Sequence, residues 1–319
     1  MKSALMEQII DPARIGSEYS SKNAATIYNG PCLDLLDGIR GRPIQLVFTS
    51  PPYNIGKRYG KKSEPRLDID TYVEEQATVI AACVKHLSPT GSICWQVGNH
   101  VAAGTVVPLD IVLYPAFIAA GLVLRNRVIW GFDHGLHCNS RLSGRYETVL
   151  WWTFPGNEYK FNLDSLRVQH KYPAKRHFRG PKSGELSGNP KGKNPGDRWS
   201  SDVWEIPNVK ANHVEKTDHP CQFPVALVER FVLALSEKDD LVFDPYAGAG
   251  TCAVAAVRNG RRALTAETVA KYTTIAKRRL VGLNDGTTKI RDDKPPLTPS
   301  GKLTLNPWRA DLKASSPQS

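Results

Sequence analysis

The stretch Leu46-Val47-Phe48-Thr49-Ser50-Pro51-Pro52-Tyr53-Asn54 constrains this chain most. Its consecutive apolar residues, without polar alternation, read as a strand buried on both faces. The strand must stop at Ser50-Pro51-Pro52, because neither proline has a backbone N–H to give to a sheet ladder. The buried strand therefore runs into a stiff corner. This corner carries carbonyls, the Ser50 hydroxyl and the Tyr53 ring, with the polar amide of Asn54 behind them.

Around this corner, apolar runs alternate with segments of helical spacing. "AATIYNGPCLDLLDGI" reads as a short strand, a turn and a short helix. In "DIDTYVEEQATVIAACVKHLSP", Tyr72, Val73, Val79, Ile80, Cys83, Val84 and Leu87 share one helical face. "SICWQVG", "VLRNRVIWG" and "YETVLWWTF" read as strands, and "DIVLYPAFIAAGL" as a helix interrupted or entered at Pro115. After an irregular stretch come a helix in "CQFPVALVERFVLALS", a strand and glycine-rich turn in "DLVFDPYAGAGT", a helix, the strand "RRALTAET" and a last helix in "VAKYTTIAKRRLVG". Strands alternating with helices predict an α/β fold with a mostly parallel sheet covered on both faces. The 319 residues suffice for one large α/β domain or two small ones. The expected divisions are a mobile arm over 1–24, a first α/β half over 25–156, an irregular region over 157–218, a second α/β half over 219–283 and a tail over 284–319.

The glycine-rich turn is the second informative stretch. The strand ends at Asp244, and Gly248 and Gly250 stand just before a helix of small residues. Such glycines let the backbone turn tightly and approach a ligand. Glu267, at the end of the next strand, is placed to accept both hydroxyls of a ribose. A dinucleotide fingerprint needs a third glycine, and Gly250 is followed instead by Thr251-Cys252-Ala253. Asp244 at the strand tip would repel a pyrophosphate and attract an ammonium. The turn thus points away from NAD and towards S-adenosylmethionine, whose amino acid end is cationic.

The formal net charge of +11 makes a polyanion a plausible partner. Cys32, Cys83, Cys94, Cys138, Cys221 and Cys252 form no C-x-x-C pair, and the histidines have no metal-ligand spacing, so no metal site is expected. No apolar segment is long enough to span a bilayer, and a soluble, cytoplasmic protein with free thiols is expected.

With both motifs in view, residues 26 to 283 resemble the DNA amino-methyltransferases of bacterial restriction–modification systems. "TSPPYN" resembles their catalytic motif [DNS]-P-P-[YFW], and "FDPYAGAGT" their cofactor motif D-P-F-x-G-S-G-T. "HPCQFPVALVERFV" resembles the helix entering the cofactor half, "RVIWG...RYETVLWWT" the strand pair after the catalytic half, and "YNGPCLDLL" the segment closing over the adenine. The catalytic motif comes first, which is the β-type order, with target recognition between the two. The resemblance implies a Rossmann-like fold that binds S-adenosyl-L-methionine and takes duplex DNA as its substrate. A restriction endonuclease is a possible companion, and oligomeric state is left open.

It further implies that Ser50, Pro51, Pro52 and Tyr53 are catalytic. Cys32, Thr49, Phe243, Asp244, Pro245, Tyr246, Gly248, Gly250, Thr251 and Glu267 would line the cofactor. Where the family has Gly-Asp-Cys, this chain has Gly30-Pro31-Cys32. The acid expected to accept from the cofactor's adenine is missing, leaving Asp34 or a backbone carbonyl. Lys57 and Arg58, with Lys61 and Lys62, could clamp phosphates beside the corner. Lys171, Lys175, Arg176, Arg179, Lys182, Lys191, Lys193 and Arg198, interleaved with His170, Tyr172, His177 and Trp199, could follow a DNA groove. In this family Ser precedes the two prolines in cytosine-N4 enzymes and Asp in most adenine-N6 enzymes. Ser50 therefore favours cytosine N4, with adenine N6 as the alternative. More distant readings are an inactive DNA-binding protein, an RNA or protein N-methyltransferase, and an oxidoreductase.

Overall fold

The structure, a computed structural model, describes residues 9–54, 56, 58–59, 62–63, 67–102, 104–132, 135, 137–156, 158–169, 176–178, 190–193 and 197–291. These fall into two units: a larger one up to Lys160 and again from Asp202, and a smaller one between Phe161 and Ser201.

The larger unit is built on a nine-stranded sheet. In chain order its strands are β1 (Ile15–Gly16), β2 (Ala25–Asn29), β3 (Ile44–Thr49), β4 (Leu87–Val97), β5 (Val123–Gly131), β6 (Tyr146–Thr153), β7 (Val203–Glu205), β8 (Leu241–Asp244) and β9 (Arg262–Glu267). Across the sheet they run β1-β2-β9-β8-β3-β4-β6-β5-β7. Every neighbouring pair is parallel except those that β6 makes with β4 and β5. All six residues of β3 are buried, as its unbroken apolar run requires.

Among the described residues six α-helices accompany the sheet: α1 (Cys32–Asp37), α2 (Ile69–His86), α3 (Leu109–Ala119), α4 (Val225–Leu235), α5 (Thr251–Arg258) and α6 (Ala270–Val281). Helix α2 starts where the Asp68 carboxylate accepts from Thr71 N at 2.9 Å. It buries Tyr72, Val79, Ile80 and Cys83, members of the stripe its spacing predicts. Small residues let α5 pack against α4, α6 and the sheet, with everything from Thr251 to Val257 buried. The core is strongly aromatic. Phe117 stacks on Trp152 at 4.6 Å, and Phe48 lies 5.3 Å from Phe231. Among the described residues no helix is long and apolar enough to cross a membrane.

The order of strands positions the site. From β3 the chain crosses through α2 to β4 on one side; from β8 it crosses through α5 to β9 on the other. The adjacent ends of β3 and β8 are therefore a topological switch point, where open α/β sheets form their ligand crevice. Val47 pairs with Phe243, so the proline corner and the glycine-rich turn leave the sheet side by side.

Several segments differ from expectation. Residues 10–24 are no loose arm: Ile10 is buried, and Ile15–Gly16 pairs with Ala25 and Thr26 at the sheet edge. The start of the tail holds them there, since Asn284 Oδ1 accepts from Ile10 N at 2.9 Å and Nδ2 donates to Ile10 O at 2.6 Å. The irregular region also ends earlier than 218. Val203–Glu205 joins the sheet beside β5, with Trp204 buried, but three residues are too few to leave a periodic trace. Helix α3 runs through Pro115; the carbonyl this proline cannot serve belongs to Ile111, which is exposed to water. A hairpin of Asn99–Ala102 and Thr105–Pro108 went unread as well.

Candidate active site

The proline corner is anchored at both ends. Tyr72 of α2 donates its hydroxyl to Pro52 O at 2.9 Å. Asn54 adopts a left-handed φ of 56°. Its side chain grips Leu67, accepting from Leu67 N at 2.7 Å and donating to Leu67 O at 2.8 Å. The Pro51 carbonyl and the Ser50 hydroxyl are thus held on a backbone with little freedom. The Ser50 hydroxyl lies 3.1 Å from the Tyr53 hydroxyl.

Beside it, Asp244 ties the two strand tips together. Its Oδ1 accepts from Thr49 Oγ1 at 2.6 Å and from Tyr246 N at 3.1 Å, while Oδ2 is buried and has no partner. Burial is the main reason its carboxyl is pushed up to about 7, against the hydrogen bonds from Thr49 and Tyr246. The glycine-rich turn beyond it needs both of its glycines. Gly248 and Gly250 have φ of 50° and 73°. A Cβ on Gly248 would sit 2.8 Å from the His219 ring, and one on Gly250 would sit 2.6 Å from Ala276 Cβ. Glu267, at the tip of β9, accepts from Gly248 N through Oε2 and from Val269 N through Oε1, both at 2.8 Å. Burial raises its carboxyl too.

These pieces meet at one cavity of about 760 Å³. Ser50, Pro51, Pro52 and Tyr53 form part of its wall; Cys32, Pro245, Tyr246, Gly248, Thr251 and Glu267 form another part. Thr49, Phe243, Asp244 and Gly250 do not reach its surface and sit behind the wall. Cys32 contributes shape rather than reactivity, since burial pushes its thiol up to about 11. Gly30 and Pro31 line the cavity, but Asp34 is exposed and does not, so it does not stand in for the missing acid.

The cavity also contains residues that sequence reasoning missed. Gln96 on β4 and Glu147 on β6 stand opposite the corner, Glu75 and Thr78 face in from α2, and Asn208 to Lys210 and Pro220 to Phe223 close further sides. Nothing in their spacing marks them as a set, because they are spread over α2, β4, β6 and the segment between β7 and α4. Lys57, Lys61, Lys171, Lys175, Arg179, Lys182, His170 and Tyr172 lie outside the described residues. Arg58 and Lys62 fall in the paired strands Arg58–Tyr59 and Lys62–Ser63. Arg176, His177, Lys191 and Lys193 fall in Arg176–Phe178 and Pro190–Lys193, and Arg198 and Trp199 in Asp197–Trp199, which pairs with Arg167–Gln169.

A family model described as DNA methylase, of the N6/N4 methyltransferases, matches residues 44–278. That span runs from the strand before the proline corner to the helix after Glu267. The chain belongs to this DNA methylase family. Among its curated relatives, the Type II methyltransferase M.BglII of Bacillus subtilis is 43% identical over 275 residues, covering 86% of this chain and 74% of that protein. Among solved structures, the PvuII DNA methyltransferase (cytosine-N4-specific) superposes with a TM-score of 0.61 at 21% identity, over 82% of this chain and 91% of that one. A Thermus thermophilus protein complexed with S-adenosyl-L-methionine does so with a TM-score of 0.56 at 25% identity, over 82% of this chain and 94% of that one.

This DNA methylase uses S-adenosyl-L-methionine. Its own residues fit the cofactor. Each Glu267 oxygen accepts one backbone N–H and keeps further lone pairs for a diol. The unpartnered Oδ2 of Asp244 puts an uncompensated acceptor just behind the wall, where a cationic ligand favours it.

Proposed function

We propose that this DNA methylase transfers the methyl group of S-adenosyl-L-methionine to the N4 amino group of cytosine in duplex DNA. The observation that carries this reading is that Ser50 and Pro51, which offer a hydroxyl and a carbonyl, both line the cavity. The cofactor would supply a methyl group already activated on a sulfonium, so no covalent enzyme intermediate is needed. The S–CH3 bond breaks as the N–CH3 bond forms, S-adenosylhomocysteine leaves, and the proton shed by the amino nitrogen passes by way of Ser50 to water. The protein's task is to make a poor nucleophile attack. An exocyclic amino group delocalises its lone pair into the ring; acceptors placed around its hydrogens draw it towards sp³ geometry and free that pair. Ser50 and the Pro51 carbonyl are those acceptors, held in place before the reaction by the stiff corner.

The target base must leave the stack to reach them, and the Tyr53 ring compensates part of that loss, about 1–3 kcal/mol for a stacked base. Glu267 takes the ribose of the cofactor. Asp244, from behind the wall, favours its cationic end. Lys57, Arg58 and the basic residues between Lys171 and Arg198 hold phosphates, with sequence readout assigned to the region around them. The protein works on cytoplasmic DNA.

The choice of cytosine rests on Ser50 and on the family's habit of placing Ser before the two prolines in N4 enzymes; the family model itself spans both N4 and N6 enzymes. Incubating plasmid DNA with labelled S-adenosylmethionine and analysing the nucleosides by mass spectrometry tests it. N4-methylcytosine is expected, with Ser50→Ala lowering kcat on the order of a hundredfold or more and leaving DNA affinity nearly intact. N6-methyladenine as the only product would overturn the base assignment, and absence of both would overturn the whole reading.

A further inference from the structure

A line of hydrogen bonds leads away from Ser50 into the protein. The Tyr53 hydroxyl, 3.1 Å from Ser50 Oγ, lies 3.1 Å from Glu147 Oε2. Gln96 Nε2 donates to the Tyr53 hydroxyl at 2.6 Å and also to Glu147 Oε2. Gln96 and Glu147 come together because β4 and β6 are antiparallel. Gln96 pairs with Val149, so Glu147, two residues along, is its diagonal neighbour on the same face. Gly98 leaves the room they need. A Cβ there would stand 3.2 Å from Tyr53 Cε2 and 3.3 Å from Glu147 Cγ.

This arrangement has a direction. An ionised carboxylate can only accept. The single hydrogen of the Tyr53 hydroxyl therefore points at Glu147, and the tyrosine oxygen accepts from Gln96 and Ser50. Ser50 spends its one hydrogen on Tyr53, which leaves its lone pairs facing the cavity. A neutral side chain at 147 that donates to Tyr53 would reverse the line, turning the Ser50 hydrogen towards the base.

We propose that Glu147 is a positioning residue which, through Tyr53, fixes Ser50 as a pure hydrogen-bond acceptor for the amino group of the target base. This rests on the reading that Ser50 accepts from that amino group. It adds a requirement that the two motifs do not contain: the carboxylate on β6 must be ionised for the corner to work.

The groups facing Glu147 set when that happens. Tyr53 and Gln96 donate to it, and Lys210, on the segment after β7, attracts its charge; Tyr53 itself also faces Cys221. Burial outweighs them and holds the Glu147 carboxyl above the usual glutamate range. Ionisation is then lost on acidification at a higher pH than for an ordinary glutamate, about 4.3. The kcat of the wild type should fall with it.

The test compares wild type with Glu147→Gln, Tyr53→Phe, the double variant and Ser50→Ala, at saturating cofactor and DNA. Glu147→Gln is expected to lower kcat on the order of a hundredfold and to remove the acid limb of its pH profile. In the Tyr53→Phe background, where the line is already cut, it should change kcat less than about threefold. Affinity for S-adenosylhomocysteine, and the fluorescence of 2-aminopurine at the target position, which reports base flipping, should stay at wild-type values. Infrared titration of the protein without ligands gives a readout free of turnover. Asp244 and Glu267 also hold raised carboxyls, so the readout is the difference between wild type and Glu147→Gln: a carboxylic acid band that disappears above the ordinary glutamate range is expected in that difference. A wild-type kcat and acid limb in Glu147→Gln, alongside a crippled Ser50→Ala, would overturn the proposal alone. So would an effect fully additive with Tyr53→Phe, a shift in the 2-aminopurine signal, or no such band in the difference between wild type and Glu147→Gln. An unimpaired Ser50→Ala would instead overturn the reading on which it rests.

Discussion

Asp244→Asn should make the ligand-free protein more stable at neutral and alkaline pH while weakening its hold on the cofactor. Asp244 is fully buried, and its carboxyl is pushed up to about 7 chiefly by that burial. In the unfolded chain it titrates near the ordinary value of about 3.9. Between these two values the folded protein holds a proton that the unfolded chain has released. The unfolded state then binds fewer protons, so stability falls as pH rises through this window. Each pH unit is worth about 1.4 kcal/mol, so ionising Asp244 in the fold costs roughly 4 kcal/mol in total.

Asparagine has the same shape. Its Oδ1 can still accept from Thr49 Oγ1 and Tyr246 N, and its amide nitrogen falls where Oδ2 already has no partner. The charge is what changes. Urea unfolding of the ligand-free protein at pH 5 and pH 8 measures it as a difference between variant and wild type, which cancels Glu267 and every other titrating group they share. The advantage of Asp244→Asn should widen by roughly 2–3 kcal/mol between these pH values, the part of the penalty that develops in that interval. Calorimetry at pH 8 should show weaker binding of S-adenosylmethionine, because a neutral amide no longer attracts a cation. Parallel stability curves would refute the argument, since they would mean that Asp244 is already ionised in the fold at pH 5 or stays protonated at pH 8.

Other perturbations probe the remaining parts. Glu267→Ala should cut affinity for S-adenosylhomocysteine by about 1.5–3 kcal/mol, the worth of hydrogen bonds to a charged acceptor, with calorimetry as the assay; unchanged affinity would remove Glu267 from the cofactor site. Neutralising Lys175, Arg176 and Arg179 together should weaken DNA binding and flatten its salt dependence by nearly one slope unit for each phosphate no longer held, while cofactor affinity is retained. An unaltered slope in filter binding across salt concentrations would place the phosphate contacts elsewhere.

Much of the site could be read from the chain because its chemistry is packed into two short segments. Ser50 to Tyr53 and Asp244 to Thr251 each contain their own backbone logic: prolines that end a ladder, and glycines at left-handed φ before a helix. Such constraints act between residues close in sequence, so they survive in the sequence itself. The strand–helix alternation is legible for the same reason, since burial on a helix face or a strand face imposes a local period. Elements too short to show a period were lost, which is why Ile15–Gly16 and Val203–Glu205 escaped notice although both belong to the sheet. Tertiary structure alone decided what the motifs meet. It moved Asp244 behind the cavity wall and left Asp34 outside it, because depth depends on what packs in front. It also brought Gln96 and Glu147 to the Tyr53 hydroxyl. Those two residues are 51 apart in the chain and become neighbours only through the antiparallel register of β4 and β6, a long-range pairing that no local pattern records.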